Sequence, residues 1–181
     1  MKIIFLGSQG SGKSTQAKFA AHKLGRPFIE MGQLFRDRAK GSDPQAQEIR
    51  KALEAGNLVP DEIAVNTLKK RISMPDCANG YILDGYPRNF AQLEGLDQDI
   101  NKVYYIKVSD REGLKRSIGR ARKDDNLTVL TQRLQLYHKK TEPLLTYFTK
   151  RGILEEVDGE RTIEEIRADV EKRLDQEFAG K

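Results

Sequence analysis

Cysteine, histidine and tryptophan are scarce in these 181 residues: there is one Cys, there are two His, and Trp is absent. A lone Cys77 cannot close an internal disulfide, and His22 and His138 lie far from it in sequence, outside any spacing that a metal cluster uses. The sequence therefore predicts a reducing, cytoplasmic setting and no zinc. Long apolar runs are missing too. Nothing approaches the ~20 apolar residues that a membrane-spanning helix needs. The opening run Ile3-Ile4-Phe5-Leu6 passes directly into Gly7-Ser8, without the longer core or the small-residue cleavage site of an export signal. No membrane contact is expected. With no repeats, low-complexity tracts or long linkers, one domain over residues 1–181 is the simplest organisation. Neither sign of charge dominates, since 32 Lys and Arg against 27 Asp and Glu give +5. That excess suits an anionic partner, and a nucleotide-phosphate enzyme and a nucleic-acid-binding protein both stay open.

Short apolar runs are present at Ile3 to Leu6, Tyr81 to Leu83, Val103 to Val108 and Ile153 to Val157, with a weaker one at Pro27 to Glu30, and helical patterns fill the intervals. Such alternation predicts an α/β fold with a parallel sheet. A long helix over about 127–150 would put Leu130, Leu134, Tyr137, Leu144 and Phe148 on one face; a final helix would do the same with Ile163, Ile166, Val170 and Leu174. Both stripes read as core. Between Arg36 and Pro60, Asp43-Pro44 has the form of a helix start and Gly56 that of a helix stop, which predicts two short helices inserted after the second strand.

Gly7-Ser8-Gln9-Gly10-Ser11-Gly12-Lys13-Ser14 matches G-x-x-x-x-G-K-[ST] directly after a predicted strand and before a predicted helix. Glycines let the backbone wrap a phosphate with its N–H groups turned inward, the following helix adds its positive end, and Lys13 supplies a mobile charge. A chance match in a chain of this length is on the order of one in a hundred. Ser14 can offer a hydroxyl to Mg²⁺, and Thr15 stands beside it. The motif implies a nucleoside triphosphate without naming the reaction. A GTPase would also carry Asn-Lys-x-Asp, which is absent; Asp110-Arg111-Glu112-Gly113 fits D-x-x-G but reads as a helix start. A second signal is Tyr81-Ile82-Leu83-Asp84, an apolar strand ending in a carboxylate that would emerge beside the phosphate loop and hold Mg²⁺ through water.

Together with the phosphate loop, Asp84-Gly85-Tyr86-Pro87-Arg88 and Gln92 resemble the nucleoside monophosphate kinases, the adenylate kinases in particular. The resemblance covers nearly the whole chain. It implies a P-loop fold, a five-stranded parallel sheet with helices on both faces and a small helical acceptor-binding insertion at about 31–60. Gly32-Gln33-Leu34-Phe35-Arg36 is similar to the family's Thr-Gly-Asp-Leu-Leu-Arg, whose arginine grips the acceptor phosphate, with Met31 just ahead of it. Gly56-Asn57-Leu58-Val59-Pro60 is similar to the Gly-x-Leu-Val-Pro turn that lines the acceptor base. Arg122-Lys123-Asp124-Asp125 and Arg133 resemble the Arg-x-Asp-Asp pattern and helix arginine that clamp the transferring phosphoryl group, and Val157-Asp158-Gly159 resembles the loop bordering the donor adenine.

The resemblance thus implies catalytic roles for Lys13, Arg88, Arg122 and Arg133. It implies ATP contacts from Gly10, Ser11, Gly12, Lys13, Ser14, Thr15, Arg116, Arg120 and Gly159, and AMP contacts from Met31, Gly32, Arg36, Leu58, Val59, Gly85, Arg88 and Gln92. Mg²⁺ would accompany ATP at Ser14 and Asp84. The Gln92 amide can both donate to and accept from an adenine edge. The expected activity is γ-phosphoryl transfer from ATP to AMP; a kinase of broader acceptor range is the alternative. A nucleic-acid-binding P-loop protein is the rival from another class, and against it stand the missing RNP-type aromatic motif and the interspersed acids. No specific nucleic-acid partner is expected, and oligomeric state is left open. Two departures stand out. Met31 and Gln33 replace the usual Ser or Thr and Asp, which predicts that the base is read through backbone groups and Gln92. Only Ala121 separates Arg120 from Arg122, where relatives insert a lid, which predicts a minimal lid loop at about 117–126.

Overall fold

The computed structural model describes residues 1–119 and 126–178. Five strands, β1 (Lys2–Leu6), β2 (Phe28–Glu30), β3 (Tyr81–Asp84), β4 (Lys102–Lys107) and β5 (Leu154–Asp158), form one sheet in the order β2-β3-β1-β4-β5, with every pair parallel. Parallel neighbours cannot be joined by a tight turn, so helices carry the crossovers. Helix α1 (Lys13–Leu24) follows β1. Three helices, α2 (Met31–Arg38), α3 (Pro44–Glu54) and α4 (Asp61–Ile72), lie between β2 and β3. Helices α5 (Asp110–Gly119), α6 (Leu127–Leu136) and α7 (Pro143–Lys150) separate β4 from β5, and α8 (Ile163–Phe178) comes last. None of the described helices is long and apolar enough to cross a membrane.

Strand periodicity divides the core in two. Ile4, Leu6, Tyr81, Leu83, Val103 and Tyr105 point to one face, where α2, α3, α4 and α7 cover them with Phe35, Ile49, Leu68, Leu144 and Phe148. Their neighbours Ile3, Phe5, Ile82, Tyr104 and Ile106 point to the other, where Ala17, Ala20 and Ala21 of α1 and Ile166, Val170 and Leu174 of α8 pack on them. The alanines of α1 let that helix lie close to the sheet. Caps fall where the sequence placed them: Asp43 accepts the Ala46 N–H at 3.2 Å, with Pro44 opening α3, and Gly56 follows that helix at φ +72°. Asp110 opens α5, so the D-x-x-G segment is a helix start.

Two expectations are corrected. The predicted helix over 127–150 is interrupted by a π-helical segment, Tyr137–Thr141, in which the Glu142 N–H reaches back to the Tyr137 carbonyl at 2.9 Å. Pro143 is the physical reason: it has no N–H to donate and its ring crowds the carbonyl four residues earlier, so the backbone widens by one residue before α7 begins. Ile163 leaves the α8 stripe and is 52% exposed, because the first residue of that helix overhangs a cleft rather than the sheet.

Truncating Phe148, which is fully buried, to Ala should cost about 3–5 kcal/mol of unfolding free energy, whereas Leu127→Ala, at an exposed position, should stay within about 0.5 kcal/mol. Urea denaturation of the two variants checks the contrast. The π segment gives a pH test as well. His138 sits between Glu142 (Nδ1 to Oε2, 2.8 Å) and Asp110 (Nε2 to Oδ1, 3.0 Å), and these carboxylates, Glu142 first, raise its pKa above the usual 6.5 against some desolvation. A raised folded pKa stabilises fully below about 6.5, and that stabilisation is lost as pH climbs through the folded value. Wild-type stability should therefore fall relative to His138→Gln over that climb, and denaturation midpoints of the pair at pH 5.5 and 8.5 measure it.

Candidate active site

The register that pairs Phe5 with Asp84 brings the carboxyl ends of β1 and β3 side by side, and the chain leaving β1 turns there into the phosphate loop. This is the crevice where open α/β sheets bind ligands. Gly10 holds φ at +73°, and a Cβ there would lie 2.0 Å from the Gly113 carbonyl oxygen of α5, so only glycine lets the loop rest on that helix. Gly12, at φ +87°, precedes α1 with no side-chain cap, which leaves the helix's positive end turned to the loop. Lys13 is buried and its Nζ donates to the Ser8 carbonyl across the loop at 3.1 Å; Ser11, also buried, accepts the Lys13 N–H at 3.4 Å.

Ser14 Oγ donates to Asp84 Oδ2, joining the first turn of α1 to the end of β3. Asp84 is 2% exposed, and its other oxygen has no hydrogen-bond partner among the described residues. A buried carboxylate oxygen left so is costly unless a cation or water completes it. An oxygen donor set of hydroxyl and carboxylate beside a phosphate cradle fits Mg²⁺.

The main cleft opens from Lys13, Ser14 and Asp84 toward the helices inserted after β2, and Gly32, Arg36, Leu58, Val59, Gly85, Arg88, Gln92 and Arg133 line it. Arg88 Nε donates to the Gly85 carbonyl at 2.8 Å; burial lowers the guanidinium pKa while Asp84 opposes that shift. Arg36 is held by Glu30 at 2.9 Å and by Gln33, whose Oε1 accepts from Nε at 3.1 Å and from Nη2 at 2.9 Å. Gln33 thus orients the arginine without adding charge. Arg133 donates to the Leu53 carbonyl at 3.2 Å, tying α6 to α3. The Gln92 oxygen accepts the Arg88 N–H and its Nε2 donates to Asp61, both at 2.8 Å.

A second cleft lies on the other side of the phosphate loop, lined by Gly10, Gly12, Thr15 and Arg116 together with Arg161, Thr162 and Ile163. Arg116 Nη1 donates to the Gly159 carbonyl at 2.8 Å, which ties the cleft-lining arginine to a glycine that does not itself line the cleft. Ser11, which is fully buried, and Gly159 line neither cleft. Met31 is fully buried under α2 among core side chains and lines neither cleft, because the first position of α2 turns inward onto the sheet. Arg120 and Arg122 lie outside the described residues. Sequence reasoning missed Tyr137 and Thr141, which the π segment turns into the main cleft; Thr141 Oγ1 donates to the Arg88 carbonyl at 2.8 Å. A lone Thr within an apolar stripe was the available signal.

Comparison with known proteins agrees with this arrangement of phosphate loop, buried carboxylate and converging arginines. A family model described as "Adenylate kinase" matches residues 5–153. A protein named adenylate kinase from Pseudarthrobacter chlorophenolicus is 38% identical over 176 residues, covering 91% of this chain and 92% of the relative. One from Leptospira biflexa is 35% identical over 184 residues, covering 96% and 99%. Another, from Ruminiclostridium cellulolyticum, is 34% identical over 212 residues, covering 96% and 99%; set against a chain of 181 residues, that alignment contains at least 31 positions filled only by the relative. With matches running nearly end to end and through both clefts, the chain belongs to the adenylate kinase family.

Proposed function

We propose that this protein catalyses reversible transfer of the γ-phosphoryl group of ATP to AMP, giving two ADP. The observation that carries the reading is the placement of two clefts on either side of one phosphate loop, with Lys13, Ser14, Asp84 and Arg88 grouped in one of them. ATP would lie with its base end in the cleft of Arg116 and Arg161, with Gly159 behind Arg116, and its phosphates over Gly10 to Thr15. AMP would enter from the opposite side, its phosphate met by Arg36 and Arg88 and its base by the Leu58–Val59 turn and Gln92. Magnesium would be held by the Ser14 hydroxyl and, through water, by Asp84, where it neutralises charge on the triphosphate.

In the transfer, an oxygen of the AMP phosphate forms a bond to the γ-phosphorus while the bond from that phosphorus to the β,γ-bridging oxygen breaks. The electron pair leaves with ADP. Little covalent work falls to the protein, and catalysis is mainly alignment and charge neutralisation. The acceptor phosphate is already anionic at neutral pH, so no side chain need remove a proton from it. That accounts for a site of Lys13, Arg36, Arg88 and Arg133 with no histidine lining the main cleft. Arg122, and Arg120 on the donor side, would join them from the connection between α5 and α6. Gly119 ends α5 and Leu127 begins α6, which supports a minimal lid loop in place of a folded lid and leaves the acceptor insertion at about 31–60 as the larger moving part.

Incubation with MgATP and each nucleoside monophosphate in turn tests the reading: ADP should form with AMP, and absence of transfer to AMP would overturn it. Lys13→Met and Arg88→Ala should each lower turnover by two or more decades, about 3 kcal/mol, with melting curves close to wild type. Near-normal turnover in a folded Arg88→Ala protein would remove that arginine from the mechanism. A loop too short to seal the donor site should also let water compete, so slow ATP hydrolysis without acceptor, suppressed by AMP, is expected and is read by phosphate release.

A further inference from the structure

Gln92 is the residue on which adenine recognition rests in the function proposed above, and an amide can read a base only if its two ends are told apart. Oxygen and nitrogen of a side-chain amide are nearly isosteric, so a rotation by half a turn exchanges acceptor for donor at almost no steric cost. What decides the orientation is the surrounding hydrogen bonds. The Arg88 backbone N–H, which can only donate, meets Gln92 Oε1 at 2.8 Å. The Asp61 carboxylate, which when ionised can only accept, meets Gln92 Nε2 at 2.8 Å. Asp61 comes from the first turn of α4, thirty-one residues away in sequence. The same Asp61 oxygen also accepts from Asn89 Nδ2 at 2.8 Å, and Asn89 Oδ1 in turn accepts the Gln92 N–H at 3.1 Å. The Gln92 carbonyl accepts from the Tyr86 hydroxyl. Backbone and side chain are therefore held together, and a flipped amide would set donor against donor at Arg88 and oxygen against carboxylate at Asp61.

We propose that Asp61 is a specificity-determining positioning residue, which locks the Gln92 amide in the orientation that accepts adenine and rejects guanine. Each end of the locked amide keeps one valence: a second N–H on Nε2 and a second lone pair on Oε1. Adenine presents a ring nitrogen that accepts and an exocyclic amine that donates, so it satisfies both. Guanine presents the reverse pair, a ring N–H and a carbonyl oxygen, and in the same pose would face donor with donor and acceptor with acceptor. A free amide would turn over and bind either purine; a locked one leaves guanine with unpaired buried groups, and those are what make polar discrimination strong. Part of the specificity is thus built by a residue that never touches the base.

The test is the ratio of AMP to GMP preference, measured both as equilibrium dissociation constants by titration calorimetry and as kcat/KM. Asp61→Ala should lower that ratio about tenfold, mostly by strengthening GMP, and Asp61→Asn, which keeps an acceptor oxygen without its charge, should lower it about threefold. In a Gln92→Ala background the Asp61→Ala change should leave the ratio where Gln92→Ala alone put it, an outcome that a merely structural role for Asp61 would not produce. An unchanged ratio in folded Asp61→Asn and Asp61→Ala proteins, or equal binding of AMP and GMP by the wild type, overturns the proposal. Selective AMP binding without phosphoryl transfer would instead overturn the reaction proposed above, while the binding ratio still decides the role of Asp61.

Discussion

Parallel pairing of β1 with β3, in the register that sets Phe5 beside Asp84, governs where everything else in this molecule can be. It places the exit of one strand, with its glycine loop, against the end of another, with its carboxylate. Because side chains alternate along a strand, that register also sends Ile4 and Leu83 to one face and Phe5 and Ile82 to the other. A slip of one residue would exchange the two faces and carry the carboxylate away from Ser14. Core packing and phosphate chemistry thus depend on a single alignment.

Around that alignment the electrostatics are arranged to need a ligand. Arg88 is partly buried, its Nε is occupied by a backbone carbonyl, and Asp84 is the opposing charge that offsets its desolvation. Drawing a cation part-way out of water beside a buried carboxylate that is itself half satisfied costs free energy unless other groups share the load. Phosphate oxygens and a divalent cation would do so, which is why the same features that look unfavourable for folding suit binding. Arg36 shows a milder version: Glu30 and Gln33 hold its guanidinium in position, and neither cost nor benefit is large at a partly exposed site.

Much of this was legible in the sequence, and the reason is locality. The glycine spacing of residues 7–14, the strand ending at Asp84 and the cap at Asp43 each speak through neighbours a few residues apart, so strands and helix starts fall close to where they are expected. Relations between distant segments were not legible. Asp61 at the start of α4 looks like any acid complementing a helix N-terminus, yet its partners are Asn89 and Gln92. Met31 has the position of an acceptor-site residue by analogy, but the inward turn of α2 makes it core. Arg161 and Thr162 carry no motif at all and reach the second cleft only because the start of α8 lies against α1, where the Gln16 amide donates to the Ile163 carbonyl.

The π segment before Pro143 acts as a phase shifter between two helices that a periodic sequence would have fused. An α-helix advances about 100° per residue, so one additional residue in the turn re-aims everything after it by nearly a third of a revolution. Tyr137 and Thr141 can then serve the cleft while Leu144 and Phe148 still meet the sheet. Removing a single residue there would leave Pro143 still without an N–H to give and would swing α7 off its seat. Sequence length in this stretch is therefore as constrained as sequence identity: replacements can be absorbed one side chain at a time, whereas a one-residue deletion would misdirect a whole helix.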